Sequence, residues 1–328
     1  MAILITGGAG YVGSHTVIEM LARGEEVVVL DSLELGHREA CDGVVFYCGD
    51  LRDDSLLGKV FLENDIEAVM HFAAYSAVGE SVVNPVRYYN NNVISSIKLL
   101  NKVVETGVKM LVFSSTAAVY GDPERLPIDE NHLTAPTNPY GDTKLAVERA
   151  ILWAEKAYGL RHIILRYFNA AGAHQSGKIG EDHHPETHLI PIILRVALGK
   201  AERVNIFGSD YPTPDGTCIR DYIHVSDLAT AHILGLERLR RKKESGLYNL
   251  GNGKGFSNLE VLEAARKVTG RKVEASFSER RAGDPPVLVA SSGKASRDLG
   301  WRPSIERLED IIETAWRWHS LHPDGFGK

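Results

Sequence analysis

The sequence predicts an α/β fold, a doubly wound parallel sheet with helices on both faces, followed by a smaller C-terminal lobe. Three observations carry this. Short apolar, β-branched runs recur through the earlier part of the chain: AILIT (2–6), EEVVVL (25–30), VVFY (44–47), AVMHF (68–72), MLVFSS (110–115) and HIILRYF (162–168). Longer amphipathic stretches separate most of them, as expected for strands buried on both faces and joined by helical crossovers. After Phe168 the alternation gives way to a segment rich in Gly, Pro and His.

Taken in order, AILIT is a buried strand, Tyr11 to Arg23 a helix and EEVVVL the next strand, and the later apolar runs continue the sheet. Residues 169–215 read as loops around one helix near 189–199. GTCIRDYIHV (216–225) reads as a strand leading into a helix that Ser226 or Asp227 could cap. LYNLG (247–251) is a further strand, and helices are expected near 257–269 and 305–320. Residues 1–168 with about 216–251 would form the larger lobe, and 169–215 with about 252–328 the smaller. The lobes exchange segments, so no clean linker is expected.

Composition narrows the function classes. The 328 residues are 44% hydrophobic and 24% charged, which is globular and suits one large domain or two intimate lobes. A net charge of -6 argues against a nucleic-acid partner, and the basic run Arg240 to Lys243 is read as the exposed end of a helix. Cys41, Cys48 and Cys218 are too few and too scattered for a disulfide framework or a zinc site, which fits a cytoplasmic setting. Met1 runs directly into AILITGG, so no signal peptide is expected. No apolar run approaches the ~20 residues of a membrane helix.

The first strand opens into TGGAGYVGS, where Gly7, Gly10 and Gly13 stand at the junction with a helix. Glycine permits the tight turn and the close approach of backbone to a pyrophosphate, and the helix N-terminus offers free N–H groups and a favourable dipole. At this junction the motif indicates a Rossmann-type dinucleotide site. Asp31 ends the second strand at the separation expected of a carboxylate that binds a ribose 2′-hydroxyl. Such a carboxylate repels a 2′-phosphate, so NAD is favoured over NADP; a helix cap is the alternative role. Asp50 and Leu51 end the third strand, where an adenine edge could lie, with capping again the alternative for Asp50.

In NPYGDTKLAVE, Tyr140 precedes Lys144 by one helical turn, so the two side chains share a face. A free tyrosine, with a pKa of about 10, is a poor base. An ammonium ~6 Å away at an effective dielectric of ~20 favours the phenolate by about 3 kcal/mol. That is roughly two pKa units, leaving the tyrosine at ~8, and a cationic nicotinamide could supply the rest. The pair alone is equally compatible with an ordinary helix face. SSTAAVYG (114–121) strengthens the acid/base reading, because Ser115 and Thr116 emerge at the carboxyl edge of the sheet, where ligands bind. Backbone capping is the competing role for both hydroxyls, more so for Ser115.

TGGAGYVGSH, HFAAYSAVGES, YYNNNV, SSTAAVYG, NPYGDTKLAVE, LRYFNAAGAH, IFGSDYPTPDGTCIRDYIHV and RRAGDPP run in order through the chain. On these motifs the sequence resembles the extended short-chain dehydrogenase/reductase family, and within it the branch that epimerises nucleotide sugars at C4. The resemblance implies interconversion of UDP-glucose and UDP-galactose: C4 is oxidised to a 4-keto intermediate, the sugar rotates, and hydride returns to its other face from retained NADH. It implies Tyr140 as acid/base at O4, with Thr116 assisting and Lys144 lowering the tyrosine pKa. By motif, Gly7, Gly10, Tyr11, Val12, Gly13, Asp31, Asp50, Leu51, Phe72, Ala73, Ala74, Asn91, Ser114, Tyr140, Lys144 and Phe168 would contact NAD. Thr116, Tyr140, Asn169, Leu189, Asn205, Phe207, Arg220, Arg281 and Asp284 would hold the UDP-hexose. Arginine forks suit a diphosphate on independent grounds, against the commoner fate of surface ion pairing.

Two departures from the family pattern stand out. Ser76 occupies a position where many members carry a lysine, which removes a charge beside the cofactor, and His188 precedes Leu189 where an asparagine is common. HHPETH (183–188) contains no helical HExxH and includes Pro185, so it is read as a solvated substrate loop and no metal is expected. A nucleotide-sugar 4,6-dehydratase would need an acid and a base directly after the active-site threonine, and those positions are Ala117 and Ala118. An NAD-sensing protein without catalysis would have no use for Tyr140, Lys144 or the arginines. Leu288 stands where the family tunes acceptance of N-acetylated sugars, so UDP-GlcNAc and UDP-GalNAc remain alternative substrates. The resemblance further implies a homodimer packed through helices near 84–105 and 140–157.

Overall fold

The structure, a computed structural model, describes residues 1–281 and 284–327. Its elements begin β1 (Ala2–Thr6), α1 (Tyr11–Ala22), β2 (Val27–Asp31), β3 (Val45–Cys48), α2 (Asp54–Glu63) and β4 (Ile66–His71). There follow α3 (Val78–Val83), α4 (Pro85–Tyr88), α5 (Ser95–Glu105), β5 (Met110–Thr116), α6 (Pro139–Tyr158), β6 (Arg161–Tyr167) and β7 (Asn169–Ala171). Next come α7 (Leu189–Ala197), β8 (Val204–Phe207), β9 (Ile219–His224), α8 (Val225–Lys242), β10 (Gly246–Leu250) and β11 (Gly255–Ser257). The chain ends with α9 (Asn258–Thr269), β12 (Ala275–Ser278), β13 (Val287–Leu288), α10 (Gly293–Leu299) and α11 (Leu308–Leu321). A π-helical turn at Tyr89–Ile94 joins α4 to α5, and a 3-10 turn at Ala117–Tyr120 follows β5.

The main sheet has the order β10-β6-β5-β4-β1-β2-β3, and every pairing in it is parallel. Alternation along each strand divides its apolar side chains between two cores. Ile3, Ile5, Val27 and Val29 pack towards α1 and α8, against Val17, Met20, Leu228 and Leu236. Ala2, Leu4, Val28 and Leu30 face the other way, with Leu57, Leu99, Val147 and Ile151 from α2, α5 and α6. This two-sided burial is why the strands read as continuous apolar runs. Strand order reverses between β1 and β4, and open α/β sheets bind ligands at the carboxyl ends beside such a reversal.

The smaller lobe has its own core, in which Ile193, Leu194, Val261 and Ile311 bring α7, α9 and α11 together. The segment expected as a strand at 216–225 is extended only over Ile219–His224, and it does not join the main sheet. It pairs in parallel with β7 and β13 and antiparallel with β11, after which α8 and β10 return to the larger lobe. The helix cap also differs from expectation: His224, not Ser226 or Asp227, caps α8 by accepting from the Ser226 N–H at 3.1 Å. Asp227 instead turns back to accept from the Ser304 and Ile305 N–H groups. β7, β8, β11, β12 and β13 hold two to four residues each, too short for periodicity to reveal.

Candidate active site

The turn after β1 is packed backbone against backbone. Gly7 has a φ of +73°, and a Cβ there would lie 2.4 Å from the Ala73 nitrogen. A Cβ on Gly13 would lie 2.1 Å from the Gly7 carbonyl oxygen. Gly10 begins the 12-residue α1 with no side-chain cap. The helix N-terminus is therefore open to an anion that only a glycine surface could approach so closely, which fits a dinucleotide pyrophosphate. Tyr11, Val12 and Gly13 form the first turn of that helix. Asp31 is not a helix cap: its Oδ2 accepts from the Ala9 N–H and its Oδ1 from the Leu33 N–H, each at 2.9 Å. Burial raises its pKa while these two donors oppose the rise. The carboxylate is thus held beside the glycine turn, where a ribose hydroxyl pair would meet it.

Asp50 does not cap α2 either, because Asp53 does. Asp50 pairs instead with Arg52, whose guanidinium lowers its pKa, and Leu51 is buried behind it. At the end of β4 the Phe72 and Ala73 N–H groups both donate to the Thr6 carbonyl, at 2.9 and 3.1 Å, which fixes Phe72, Ala73 and the following Ala74 across the reversal point. Asn91 lies in the π-helical turn and donates to the Oδ1 of Asn92 at 3.1 Å. Asn92 is the buried one of the two and clamps the Tyr75 backbone through both its N–H and its carbonyl. Ser76 is exposed, while Arg87 stacks over Tyr75 at 4.6 Å and pairs with Glu34 and Glu80.

Asn138 caps α6 by accepting from the Gly141 N–H at 2.9 Å, and Pro139 takes the first helical position, so Tyr140 enters the site on the first turn. Lys144 follows one turn later, only 4% exposed, and donates to the Ser114 carbonyl at 2.9 Å. Burial decides the electrostatics of both groups. It pushes the Tyr140 hydroxyl up to about 12, with a hydrogen-bonding contribution from Thr116 opposing. It pulls the Lys144 ammonium down to about 7, with the Glu148 carboxylate opposing. This corrects the expectation that lysine alone brings the tyrosine to ~8, which neglected the desolvation of both groups. Of the two hydroxyls at the end of β5, it is Thr116 and not Ser115 that caps the backbone. Thr116 caps the 3-10 turn, accepting from the Ala118 N–H at 3.1 Å, whereas Ser115 donates to Glu148 at 2.5 Å.

The residues expected to hold the sugar nucleotide lie on β7, α7, β8, β9 and the segment before β13. Asn169 lies in β7 opposite Tyr222 of β9, and Leu189 opens α7. Asn205 and Phe207 lie in β8; Asn205 accepts from Ser278 at 2.8 Å, and the Arg281 guanidinium stands 4.0 Å from the Phe207 ring centre. Arg220 is 8% exposed and donates to Asp284 at 2.9 Å, while the Asp284 N–H reaches the Arg281 carbonyl at 3.3 Å. Leu288 lies opposite Arg220 in the β13–β9 register. Phe168 and Leu288 both pack against Ala117, Val119, Tyr120, Ile128 and Leu145, which joins the Thr116 turn to the smaller lobe.

Some buried charged groups escape sequence reading. Glu148, one turn beyond Lys144, is 2% exposed and forms an ion pair with Arg166, itself 5% exposed, with Nε to Oε1 at 2.9 Å. Arg166 reaches on to the Tyr120 hydroxyl at 3.0 Å, and that hydroxyl donates to Asn249 at 2.7 Å. The available hint was a lone arginine within the apolar run HIILRYF. The loop expected to be solvated is exposed at His184, Pro185 and Thr187, yet it also draws four side chains together. Glu181 is 3% exposed, and side-chain atoms of Glu181, His183, Glu186 and His188 all lie within 4.8 Å of one another. Burial lowers the pKa of both histidines, but the two carboxylates outweigh it; His188 ends raised and His183 rises to about 10.

Comparison with known proteins identifies the family and agrees with the fold. The model of the NAD dependent epimerase/dehydratase family matches residues 3–251. A UDP-glucose 4-epimerase of Halalkalibacterium halodurans is 59% identical over 326 residues, covering 99% of this chain and 98% of that protein. A crystal structure of a UDP-glucose 4-epimerase superposes with a TM-score of 0.98 at 54% identity, covering 100% of both chains. The UDP-glucose 4-epimerase from Bifidobacterium longum, in complex with NAD+ and UDP, superposes with a TM-score of 0.95 at 40% identity, covering 99% of this chain and 100% of that one. A match that begins in the first strand of the sheet and closes just past the last, spanning the glycine turn after β1 and the start of α6 that carries Tyr140, makes the chain a member of the NAD dependent epimerase/dehydratase family.

Proposed function

We propose that the protein is an NAD-dependent isomerase that interconverts UDP-glucose and UDP-galactose by epimerisation at C4. The observation that carries the reading is the buried Tyr140–Lys144 pair beside Thr116 at the carboxyl edge of the sheet, in a chain whose full-length relatives are UDP-glucose 4-epimerases. Bound NAD supplies a reversible acceptor for the hydrogen on C4. Gly7, Gly10 and Gly13 admit its pyrophosphate, and Asp31 receives its ribose hydroxyls. Tyr140 removes the proton from the sugar O4 and later returns it, with Thr116 holding the same oxygen. Lys144, held on the Ser114 carbonyl, contributes positive charge to the phenolate.

Arg220 and Arg281 face the diphosphate as cationic forks, with Asp284 fixing the first of them. Asn169, Leu189, Asn205 and Phe207 complete the nucleotide-sugar contacts. Concentrating charge on the diphosphate leaves the hexose free to present either face to the cofactor. A 4,6-dehydratase is disfavoured because the 3-10 turn after Thr116 begins with Ala117 and Ala118, which have no proton to give or take.

The exposed apolar side chains Val82, Val83 and Val86, with Ile94, Leu152 and Trp153 on adjoining helical segments, support a homodimer packed through this surface. Three free cysteines support a cytoplasmic setting. The deciding experiment incubates purified protein with UDP-galactose and follows UDP-glucose. Interconversion is expected, with turnover nearly abolished and cofactor binding kept in Tyr140→Phe. A 4-keto-6-deoxy product would overturn the reading in favour of a dehydratase. No conversion at micromolar enzyme would favour a sensor, and equal loss of binding and turnover in Tyr140→Phe would make that residue structural.

A further inference from the structure

The loop between β7 and α7 carries a group of side chains that the epimerisation chemistry does not use. Within eight residues it presents Glu181, His183, Glu186 and His188, and their ligand atoms converge within 4.8 Å. Both histidines direct Nδ1 at the same carboxylate. His183 Nδ1 lies 3.2 Å from Glu181 Oε1, and His188 Nδ1 is in hydrogen-bond contact with that same oxygen. Glu186 closes the group, with its oxygens 3.8 Å from His183 Nδ1 and 3.7 Å from His188 Nδ1. A tetrahedral ion with bonds of ~2.0–2.1 Å places its donors about 3.3 Å apart, so modest adjustment of four side chains would enclose one.

We propose that Glu181, His183, Glu186 and His188 form a binding site for a divalent transition-metal cation of the zinc class. The donor set selects the class. Two imidazoles and two carboxylates suit zinc and its transition-metal neighbours, whereas magnesium and calcium require more oxygen ligands than this group supplies. The surroundings hold the ligands in place, as outer contacts do in metal sites. Glu186 accepts from the Thr187 and His188 N–H groups at 2.7 and 2.8 Å, and Glu181 is 3% exposed. The Tyr11 ring meets His183 edge-on with centroids 6.2 Å apart, and His188 is the N-cap residue of α7. A bound ion would therefore fasten the loop between the cofactor turn and the helix that opens with Leu189. Without the ion, the two histidines and two carboxylates neutralise one another as ion pairs.

The test uses the full chain, freed of metal by a chelator and then dialysed. Zn2+ alone is titrated by equilibrium dialysis with the bound metal quantified, and Co2+ alone is titrated by visible absorption. One equivalent is expected to bind, with the intense visible bands of a tetrahedral Co2+ site. Glu186→Gln and His188→Ala, each shown to keep the native circular dichroism, should each weaken binding by about 10- to 100-fold or more. His184→Ala should leave binding unchanged, because that side chain is 66% exposed and turned towards Asp182. If one variant fails to fold, the other decides. Absence of stoichiometric binding, weak octahedral-type Co2+ bands, or Zn2+ affinity unchanged in the folded variants would overturn the proposal.

Discussion

Replacing Lys144 with methionine isolates the charge that acts on Tyr140 while nearly conserving side-chain length. Burial, opposed in part by the Thr116 hydrogen bond, places the tyrosine at about 12. For roughly a tenth of it to be ionised near neutrality, its pKa must fall to ~8, which is about four units or ~5 kcal/mol. A full positive charge ~6 Å away at an effective dielectric of ~20 supplies about 3 kcal/mol, or two units. One cation is therefore too little and two are enough. On the proposed mechanism the second would be the oxidised nicotinamide ring, which would make the base strong only when the cofactor can accept hydrogen.

Burial itself pulls Lys144 down to about 7; at ~6 Å each charge would favour the other, so the two groups would titrate as a pair. The sign follows from Tyr140 acting in its ionised form: activity rises as pH climbs through its pKa. Removing the lysine raises that pKa, so in Lys144→Met the rising limb of the pH profile should move up by about two units. Turnover at neutral pH should fall about 100-fold. Ultraviolet tyrosinate titration of NAD+-loaded and NADH-loaded protein, with Tyr140→Phe as the blank, measures the same quantity without turnover. A limb that stays in place in Lys144→Met, or a tyrosine whose titration ignores the oxidation state of the cofactor, would refute the two-cation account.

Gly13→Ala puts a methyl group 2.1 Å from the Gly7 carbonyl oxygen, so the cradle must open, at about 1–3 kcal/mol. Cofactor affinity should drop by roughly ten- to a hundredfold, and a wild-type NAD content after purification would show that the turn tolerates a side chain. Glu148→Gln leaves Arg166, 5% exposed, as a buried cation without its carboxylate, and should cost about 3–5 kcal/mol in chemical denaturation. The double variant Glu148→Gln with Arg166→Met should recover most of that loss; additive losses in the two substitutions would mean that the pair is not coupled.

The parts of this molecule that were legible in the sequence are those set by local pattern. Continuous β-branched runs such as AILIT and MLVFSS can be satisfied only by a strand covered on both faces, and the observed parallel sheet covers them. Glycines at a strand-to-helix junction report a backbone approach that a Cβ would block, and Gly7 and Gly13 show that approach. What escaped the sequence depends on long-range burial. Glu148 and Arg166 are 18 residues apart on different elements, and nothing local says that they will share a dry pocket. In the 181–188 loop the ligand spacing matches neither helix nor strand periodicity, so convergence of its side chains waits on the chain path.

The acid/base pair shows the same division at the level of chemistry. Spacing on a helix correctly brought Tyr140 and Lys144 to one face, but the magnitude and even the sign of the tyrosine shift depended on solvent that the sequence does not count. Desolvation acts on every buried ionisable group, raising the phenol and lowering the ammonium together. Burial thus opposes the very ionisation that the proposed base needs. On the proposed mechanism an oxidised nicotinamide would supply the opposing charge, so burial would make the base conditional on the oxidant.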